Sequence, residues 1–284
     1  MSYTQIIDNL SSMAKTEGEN DYIGADGLLV CGKCHTPKQV RVNFLGQEKT
    51  PYCICKCEQE KQAAEERARN QVELARRIAR NRDIAFPDVD VETTPEDDMR
   101  IWTFENDNMK HPELTTAAKK YVENFETFKK QGKGLLFYGT VGTGKSYMAA
   151  CIANALLNKG YEVLMTNFNR IANTAFDARD KQEYYDSLNR YQLLILDDLG
   201  VERNTEYMQE IVYTVIDSRS RINLPLIVTS NLTSQEFKNP VGINNQRIYS
   251  RILKMCHPIK VEGEDQRKLK AVQSFAETKK LLGL

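Results

Sequence analysis

Short apolar runs alternate with longer mixed segments over the C-terminal two-thirds of the chain. From about Trp102 onward, five runs are apolar enough to form buried strands: Leu135–Tyr138, Val163–Thr166, Leu193–Leu196, Leu226–Thr229 and Ile259–Val261. Helical segments, including Tyr147–Asn158 and Thr205–Arg221, lie between these runs. This alternation predicts an α/β domain with a five-stranded parallel sheet.

The first hundred residues have a different character. Residues 1–57 are polar and end in a turn-rich segment that carries cysteines. Residues 58–82 lack Gly and Pro and are rich in Glu, Arg, Ala, Gln and Lys, a composition that favours helix. Pro87 and Pro95, with acidic residues around them, indicate a linker. We therefore expect an N-terminal module at 1–57, a helical connector and linker at 58–100, and the α/β domain at 101–284.

The charge balance argues against a generally basic nucleic-acid-binding protein. The 284 residues include 39 Lys and Arg and 39 Asp and Glu, so any contact with DNA must be a local patch. No apolar run approaches the ~20 residues needed to span a bilayer, and the polar N-terminus lacks the pattern of a signal peptide. The sequence predicts a cytoplasmic protein with no membrane segment.

Five of the seven cysteines lie in one short stretch, as a C-x-x-C pair followed by a C-x-C-x-C group. In a reducing compartment such clustering indicates a metal site rather than disulfides, and Zn²⁺ prefers tetrahedral sulfur. The four ligands that we favour give a compact pair at each end of the segment: Cys31, Cys34, Cys55 and Cys57. Cys53 is the reserve ligand and His35 a remoter one. An iron–sulfur cluster and free thiols are the alternatives.

Residues Gly139–Ser146 fit the phosphate-binding pattern G-x-x-x-x-G-K-[ST], with an apolar strand before them and a helix after them. The glycines let backbone N–H groups face a phosphate, and the helix N-terminus adds partial positive charge. We predict that Lys145 reaches the β- and γ-phosphates of ATP and that Ser146 binds Mg²⁺. The predicted nucleotide-binding residues of this segment are Gly139, Thr140, Val141, Gly142, Thr143, Gly144, Lys145, Ser146 and Tyr147.

Two carboxylates, Asp197 and Asp198, directly follow the apolar run Leu193–Leu196. The C-terminal edge of a parallel sheet is where ligands bind, so Asp197 is expected beside the phosphates and would hold Mg²⁺ through water. Asp198 stands where many such ATPases carry a Glu that polarises the attacking water, and its shorter side chain leaves its reach open. The alternative is a strand-end turn with two solvated carboxylates.

Three motifs in combination resemble one family. They are Gly139–Ser146, the segment Leu196–Glu202 and the segment Arg247–Leu253. From about Trp102 to Leu269 the chain is similar to the DnaC/DnaI-type replicative helicase loaders, a branch of the AAA+ ATPases that also includes the transposition ATPase IstB. The resemblance implies an AAA+ P-loop NTPase fold and ATP hydrolysis.

The resemblance also implies three further residues of the nucleotide site. Asn231 matches the family's sensor asparagine and would position the attacking water, although Asn after a strand is also a common turn former. Arg251 matches the arginine that the family projects into a neighbouring subunit's ATP site, and the alternative is a solvated surface pair with Arg247. Arg267 matches the second sensor, but Asp265 replaces the Ser that is usual there.

The segment between the second and third predicted strands is longer than a simple connection. Helicase loaders carry an extra helix here that lines a path for single-stranded DNA. Arg170, Phe176, Arg179 and Lys181 combine cations with an aromatic platform and are the candidate DNA contacts. Acidic residues in the same segment leave open the alternative of a solvated helix face.

The function that the resemblance implies is ATP-dependent loading of a hexameric replicative helicase of the DnaB type onto single-stranded DNA. The implied cofactors are ATP, Mg²⁺ and Zn²⁺, and the ATPase domain is expected to self-associate. DnaI-like loaders carry an N-terminal zinc module, which is not the usual pattern of IstB-like proteins. A transposition-accessory ATPase and a nucleotide-binding adaptor without turnover are the alternatives.

Overall fold

A computed structural model describes residues 11–16, 18–44, 46–89, 92–94, 97–108, 110–200, 205–266, 268, 275 and 278–282. The chain forms two compact units, Met1–Arg76 and Arg77–Leu284. The boundary between these units falls inside the segment predicted to be a connector. Among the described residues, no helix has the length and apolar character needed to cross a membrane.

The first unit contains two short antiparallel hairpins and the beginning of a long helix. These elements are β1 (Tyr22–Ile23), β2 (Leu29–Val30), β3 (Val42–Phe44), β4 (Gln47–Lys49) and α1 (Lys56–Ala85). Strand β1 pairs with β2, and β3 pairs with β4. The helix predicted at 58–82 is therefore present. Most of its described side chains are exposed, as expected from its small and charged residues, and only Ala85 is buried.

The second unit contains a five-stranded sheet in which every pairing is parallel. Its strands are β5 (Gly134–Tyr138), β6 (Val163–Asn167), β7 (Leu193–Leu199), β8 (Leu226–Ser230) and β9 (Cys256–Lys260). They lie side by side in the order β6-β7-β8-β5-β9. The predicted α/β fold with five parallel strands is confirmed. Since β8 separates β5 from β7, the residues that end β8 lie between the phosphate-binding loop and the acidic end of β7.

The fifth strand begins earlier than the predicted Ile259–Val261. It starts at Cys256, which lies opposite Gly134, and it continues through His257 and Pro258. Proline disfavours central strands because it has no N–H, but β9 is an edge strand, where proline is tolerated. The sequence pattern alone does not show which strand lies at the edge.

Helices cover both faces of this sheet. They are α2 (Pro112–Glu123), α3 (Phe125–Gln131), α4 (Lys145–Asn158), α5 (Phe168–Asp177), α6 (Lys181–Ser187), α7 (Glu206–Arg221), α8 (Ser234–Lys238) and α9 (Ile243–Met255). Short 3₁₀ helices cover Met99–Ile101 and Leu188–Arg190. Helices α4 and α7 correspond to the two helices predicted from the sequence.

Two buried clusters hold the sheet between its helices. Successive strand residues point to opposite faces, so each strand contributes to both clusters. Leu135 and Phe137 of β5 belong to the cluster that includes α2 and α4, whereas Leu136 belongs to the cluster with α5, α7 and α9. Phe86, in the segment predicted to be a linker, is 1% exposed and lies in the first cluster. Part of that linker therefore contributes to the core of the second unit.

Candidate functional site

The phosphate-binding loop connects β5 to α4 and ends at Gly144, which caps the helix with a φ of 91°. Lys145, the first residue of α4, is only 5% exposed. Its ammonium donates to the carbonyl oxygens of Gly139 at 3.1 Å and Thr140 at 2.6 Å. The positive charge of Lys145 is thus kept within the loop, beside the helix N-terminus.

Two glycines of this loop are required for different reasons. Gly144 has open space around a would-be Cβ, so its positive φ alone favours glycine. At Gly142, whose φ is 76°, an added Cβ would lie 1.9 Å from Oδ1 of Asp265. The backbone N–H of Gln266 donates to the Gly142 carbonyl at 2.9 Å. The segment after β9 therefore lies against the phosphate-binding loop and leaves no room for a side chain.

Thr229, at the end of β8, ties the two acidic residues of β7 in place. Its hydroxyl donates to Oδ1 of Asp197 at 2.5 Å and accepts from the backbone N–H of Asp198 at 2.9 Å. The side chain of Thr229 is fully buried. Thr229 is not among the predicted site residues, because threonine is an ordinary strand-forming residue. Its position beside the two acidic residues follows from the strand order, which places β8 next to β7.

The electrostatics of Asp197 indicate a cation site. Burial raises the pKa of this carboxyl above its usual value, and the neighbouring charge of Asp198 adds to that rise. Hydrogen bonds with Thr229 and Ser146, and the charge of Lys145, oppose it. The two residues predicted to hold Mg²⁺, Ser146 and Asp197, therefore contact each other. A divalent cation between them would offset the cost of the buried charge.

Asp198 has an unusual backbone conformation. Its φ is 58°, in the left-handed region that non-glycine residues rarely adopt. The pairing of β7 with β8 is irregular between Leu196 and Leu199, so Asp198 lies in a bulge. Bulges re-aim side chains at sheet edges and next to active sites. This one turns Asp198 toward the cavity that Asn231 also lines.

One cavity of about 360 Å³ unites most of the predicted nucleotide-site residues. Its lining includes predicted residues from three segments: Val141, Gly142, Thr143, Gly144, Lys145, Ser146, Tyr147, Asp198 and Asn231. Gly139, Thr140 and Asp197 are not part of that lining, but the hydrogen bonds described above join them to it. A concave pocket with convergent polar groups and a buried lysine fits a magnesium-bound nucleotide.

This cavity has a second wall, formed by residues that were not predicted from the sequence. Its residues come from the segment before α2, from α2 and α4, and from the segment after β9: Asp97, Trp102, Asn106, Asp107, Asn108, Lys110, His111, Leu114, Met148 and Gln266. The rings of Trp102 and Tyr147 lie 5.4 Å apart, and the Tyr147 hydroxyl donates to the Thr103 carbonyl at 3.0 Å. Trp102 is the single tryptophan of the chain, and that rarity is the one sequence feature that could have drawn attention to this wall.

The two predicted arginines of the site have different outcomes. Arg251 does not line this cavity, and its guanidinium instead binds Asp217 of α7. Arg267 lies outside the described residues. Asp265, the residue that departs from the family's second-sensor pattern, contacts the loop at Gly142.

The four candidate DNA contacts lie on or between α5 and α6. Phe176 is 76% exposed, and Arg179 is also exposed. Lys181 lies over the ring of Tyr207, 5.5 Å from its centroid. Arg170 is paired with Asp88 at 3.4 Å, which reduces its availability to a phosphate. Phe176, Arg179 and Lys181 are therefore the more accessible members of this set.

The first unit brings together the four cysteines that we favoured. Their sulfur atoms all lie within 4.8 Å of one another: Cys31, Cys34, Cys55 and Cys57. The Sγ of Cys57 is 3.6 Å from that of Cys31 and 3.4 Å from that of Cys55. Tetrahedral zinc with bonds of ~2.3 Å separates its sulfurs by about 3.8 Å, so the cluster fits such an ion. Cys53 is not in the cluster, and its Sγ instead lies 3.5 Å from the Pro37 carbonyl.

The cluster gathers more negative charge than the cysteines alone tolerate. The hydrogen bond of Cys57 with Cys55, together with other neighbouring thiols, raises the pKa of Cys57 to about 12. The Thr36 hydroxyl, 3.0 Å from Cys34, lowers the pKa of that thiol to about 5. Not all four thiols are therefore deprotonated near neutral pH without a cation. Zn²⁺ would supply the charge that stabilises four thiolates.

The second unit is similar in sequence to known proteins. A family profile described as "IstB-like ATP binding protein" matches residues 106–274. The replicative helicase loader DnaI of Bacillus subtilis (strain 168) is 28% identical over 180 residues, which are 58% of this chain and 58% of that relative. The replicative helicase loader DnaC of Escherichia coli (strain K12) is 28% identical over 142 residues, 48% of this chain and 56% of that relative.

A solved structure described as the DnaC helicase loader aligns with a TM-score of 0.49 and 21% identity, and covers 56% of this chain and 96% of that chain. The present chain spans less than two-thirds of the length of both curated relatives.

Replacement of Cys34 by Ser should abolish tight zinc binding, because three sulfurs and a hydroxyl do not complete the thiolate site. Cys53→Ser is the matched control and should retain about one zinc per chain. Metal analysis of the purified full-length variants by mass spectrometry measures both. Equal zinc content in the two variants would contradict the assignment of ligands.

Asp197→Asn should stabilise the nucleotide-free protein and abolish its stabilisation by magnesium and ATP. The raised pKa of Asp197 means that the native state binds this proton more tightly than the unfolded chain, so stability falls as the pH rises through that pKa. The cost is present at pH 7, so its removal should raise the Tm. Thermal denaturation with and without Mg²⁺-ATP measures both effects; an unchanged ligand-induced shift would show that Asp197 does not hold the metal.

Thr229→Val should lower kcat for ATP hydrolysis by about tenfold, because the isosteric side chain cannot hydrogen-bond Asp197 or accept from Asp198. Thr229→Ser keeps the hydroxyl and should retain most of the activity. Steady-state hydrolysis at saturating magnesium compares the pair. If valine and serine behave alike, the hydroxyl has no role in the site.

Proposed function

This chain belongs to the IstB-like ATP binding protein family, and from that premise we propose that it hydrolyses ATP and loads a hexameric replicative helicase of the DnaB type onto single-stranded DNA. One observation carries the proposal. The P-loop, Asp198 and Asn231 converge on a single cavity in a chain that is 28% identical, over 180 residues, to a protein named replicative helicase loader DnaI.

The proposed hydrolysis uses groups that line or adjoin the cavity. Lys145 would bind the terminal phosphates, and Ser146 with Asp197 would hold Mg²⁺, which would neutralise charge on the phosphates. Asp198 accepts a hydrogen bond from the attacking water and makes it more nucleophilic. The Asn231 amide fixes the orientation of that water. Trp102 and Tyr147 line the part of the cavity that would take the nucleoside.

The remaining steps assign partners to other parts of the chain. The four-cysteine cluster holds zinc and stabilises an N-terminal module that binds the helicase. Phe176, Arg179 and Lys181 contact single-stranded DNA by stacking and charge. ATPase domains associate so that Arg251 completes the ATP site of the next subunit. Support for these steps is the resemblance to the loaders together with the exposure and clustering of the residues named.

The family description favours one alternative, a transposition-accessory ATPase. It predicts binding to a transposase or a target duplex, without affinity for a helicase. A nucleotide-binding adaptor without turnover is distinguished by the hydrolysis assay. The cysteine cluster supports the loader, since the DnaI-type resemblance includes an N-terminal zinc module.

Purified protein should hydrolyse ATP and co-purify with a hexameric replicative helicase of the organism that encodes it. Lys145→Ala should abolish hydrolysis by removing the ammonium from the phosphate site, whereas Lys130→Ala, on the exposed surface of α3, should not. Cys34→Ser should lose the helicase and Cys53→Ser should keep it. Hydrolysis by phosphate release and complex formation by gel filtration give the readouts.

Each part of the proposal has its own contradicting result. Absence of hydrolysis in folded wild-type protein would leave only the adaptor. A complex with a transposase and none with a helicase would replace the loader by the transposition accessory protein.

A further inference from the structure

Arg251 is held by three partners within its own subunit. Its Nε donates to Oδ1 of Asp217 at 2.5 Å, and its Nη2 donates to the Tyr213 hydroxyl at 2.9 Å. Its Nη1 lies 3.4 Å from the carbonyl of Arg247, one turn earlier on α9. The guanidinium also lies over the Tyr213 ring, 4.7 Å from the centroid. Contacts from α7 and α9 together therefore fix both the position and the plane of this group.

The carboxylate that holds Arg251 is itself well fixed. Asp217 is 8% exposed, and its second oxygen accepts from Arg221 at 2.5 Å. Arg221 is one turn later on α7, and its side chain is 76% exposed. The side chain of Arg251 is 29% exposed, so this pair is much less open to solvent. The two arginines of the cluster thus differ in their restraint, and Arg251 is the restrained one.

Not all hydrogen-bond donors of Arg251 are used. A guanidinium has five N–H groups, and the contacts among the described residues engage one on each nitrogen. One N–H on each terminal nitrogen remains, which is the fork that recognises phosphate oxygens. Because the Arg251 side chain is 29% exposed, a group from outside the subunit can approach it.

We propose that Asp217 and Tyr213 are positioning residues that hold the Arg251 guanidinium, with its free N–H groups outward, for the ATP site of a neighbouring subunit. The inference rests on the proposed function, in which Arg251 acts between subunits. A preorganised guanidinium loses less of its conformational freedom when it meets the phosphate. Asp217 and Tyr213 touch no nucleotide and act only through Arg251.

Mixed variants test this inference, because Arg251 and the site that it completes belong to different subunits. The variant that supplies the arginine, called the donor subunit, carries Lys145→Ala and keeps Arg251. The variant that supplies the ATP site, called the acceptor subunit, carries Arg251→Ala and keeps its P-loop. Neither should hydrolyse ATP alone, and their mixture should regain activity. Adding Asp217→Asn to the donor should lower the kcat of the mixture by about tenfold or more, with KM unchanged. Adding Asp217→Asn to the acceptor should leave the mixture unaffected.

The comparison of donor with acceptor separates positioning from folding. A substitution that merely damages the fold lowers activity in either subunit, whereas loss of positioning lowers it only in the donor. Arg221→Gln in the donor is the matched control, since it removes the exposed partner of Asp217 and leaves Arg251 bound. Tyr213→Phe in the donor keeps the ring beneath the guanidinium and should lower kcat about twofold to fivefold, less than Asp217→Asn. If thermal denaturation shows that the Asp217→Asn donor does not fold, the kcat with Tyr213→Phe in the donor tests the positioning role instead.

Each outcome has one meaning. If the unmodified donor and acceptor do not complement each other, Arg251 does not act between subunits, and the inference falls with that part of the proposed function. If they complement each other equally well with Asp217→Asn or Tyr213→Phe in the donor, only the inference is wrong. Higher activity with Asp217→Asn in the donor would also overturn it, because Asp217 would then restrain Arg251 from acting.

Discussion

The nucleotide site depends on a carboxylate, that of Asp197, partly buried at the end of a parallel strand. Burial disfavours its charge, and the Thr229 and Ser146 hydroxyls with the Lys145 ammonium make that charge tolerable. Together with Asp197 these groups come from three elements, β7, β8 and α4, and the strand order brings them together. If β5 and β7 were adjacent, no strand would lie between them to supply Thr229. The topology of the sheet is therefore part of the chemistry of the site.

The same electrostatic principle operates in the N-terminal unit. Four cysteine sulfurs lie within 4.8 Å of one another, so ionisation of one thiol disfavours ionisation of its neighbours. Hydrogen bonds with the neighbouring thiols raise the pKa of Cys57, whereas burial is the main cause of the raised pKa of Asp197. In both places the chain gathers potential metal ligands whose ionisation a nearby cation would favour. The difference is in ligand softness, since thiolates suit zinc and a hydroxyl with a carboxylate suits magnesium.

Local sequence patterns predicted the parts of these sites that are contiguous in the chain. The P-loop is one segment, and the favoured cysteines are two close pairs, so spacing alone grouped them. Contacts between distant segments were not predictable in this way. Thr229 and Asp197 are far apart in sequence and meet only through strand order, and Trp102 reaches the cavity from a segment whose pattern indicated no element. The conformation of Asp198 depends on a β-bulge, and the residue types in this segment do not predict that bulge.

Two arginines of the second unit differ in how their surroundings support the charge. Arg219 is 0% exposed, and among the described residues it donates only to backbone carbonyls, those of Pro225 and Leu188. Burial without a carboxylate lowers the pKa of Arg219 to about 9, so its surroundings do not favour the charge. Arg251 instead keeps a carboxylate partner and an aromatic face, and its side chain is 29% exposed. A sequence presents both simply as arginines near helix ends. The paired charge and the partial exposure fit the role between subunits that we propose for Arg251, whereas the complete burial of Arg219 leaves it only a role within its own subunit.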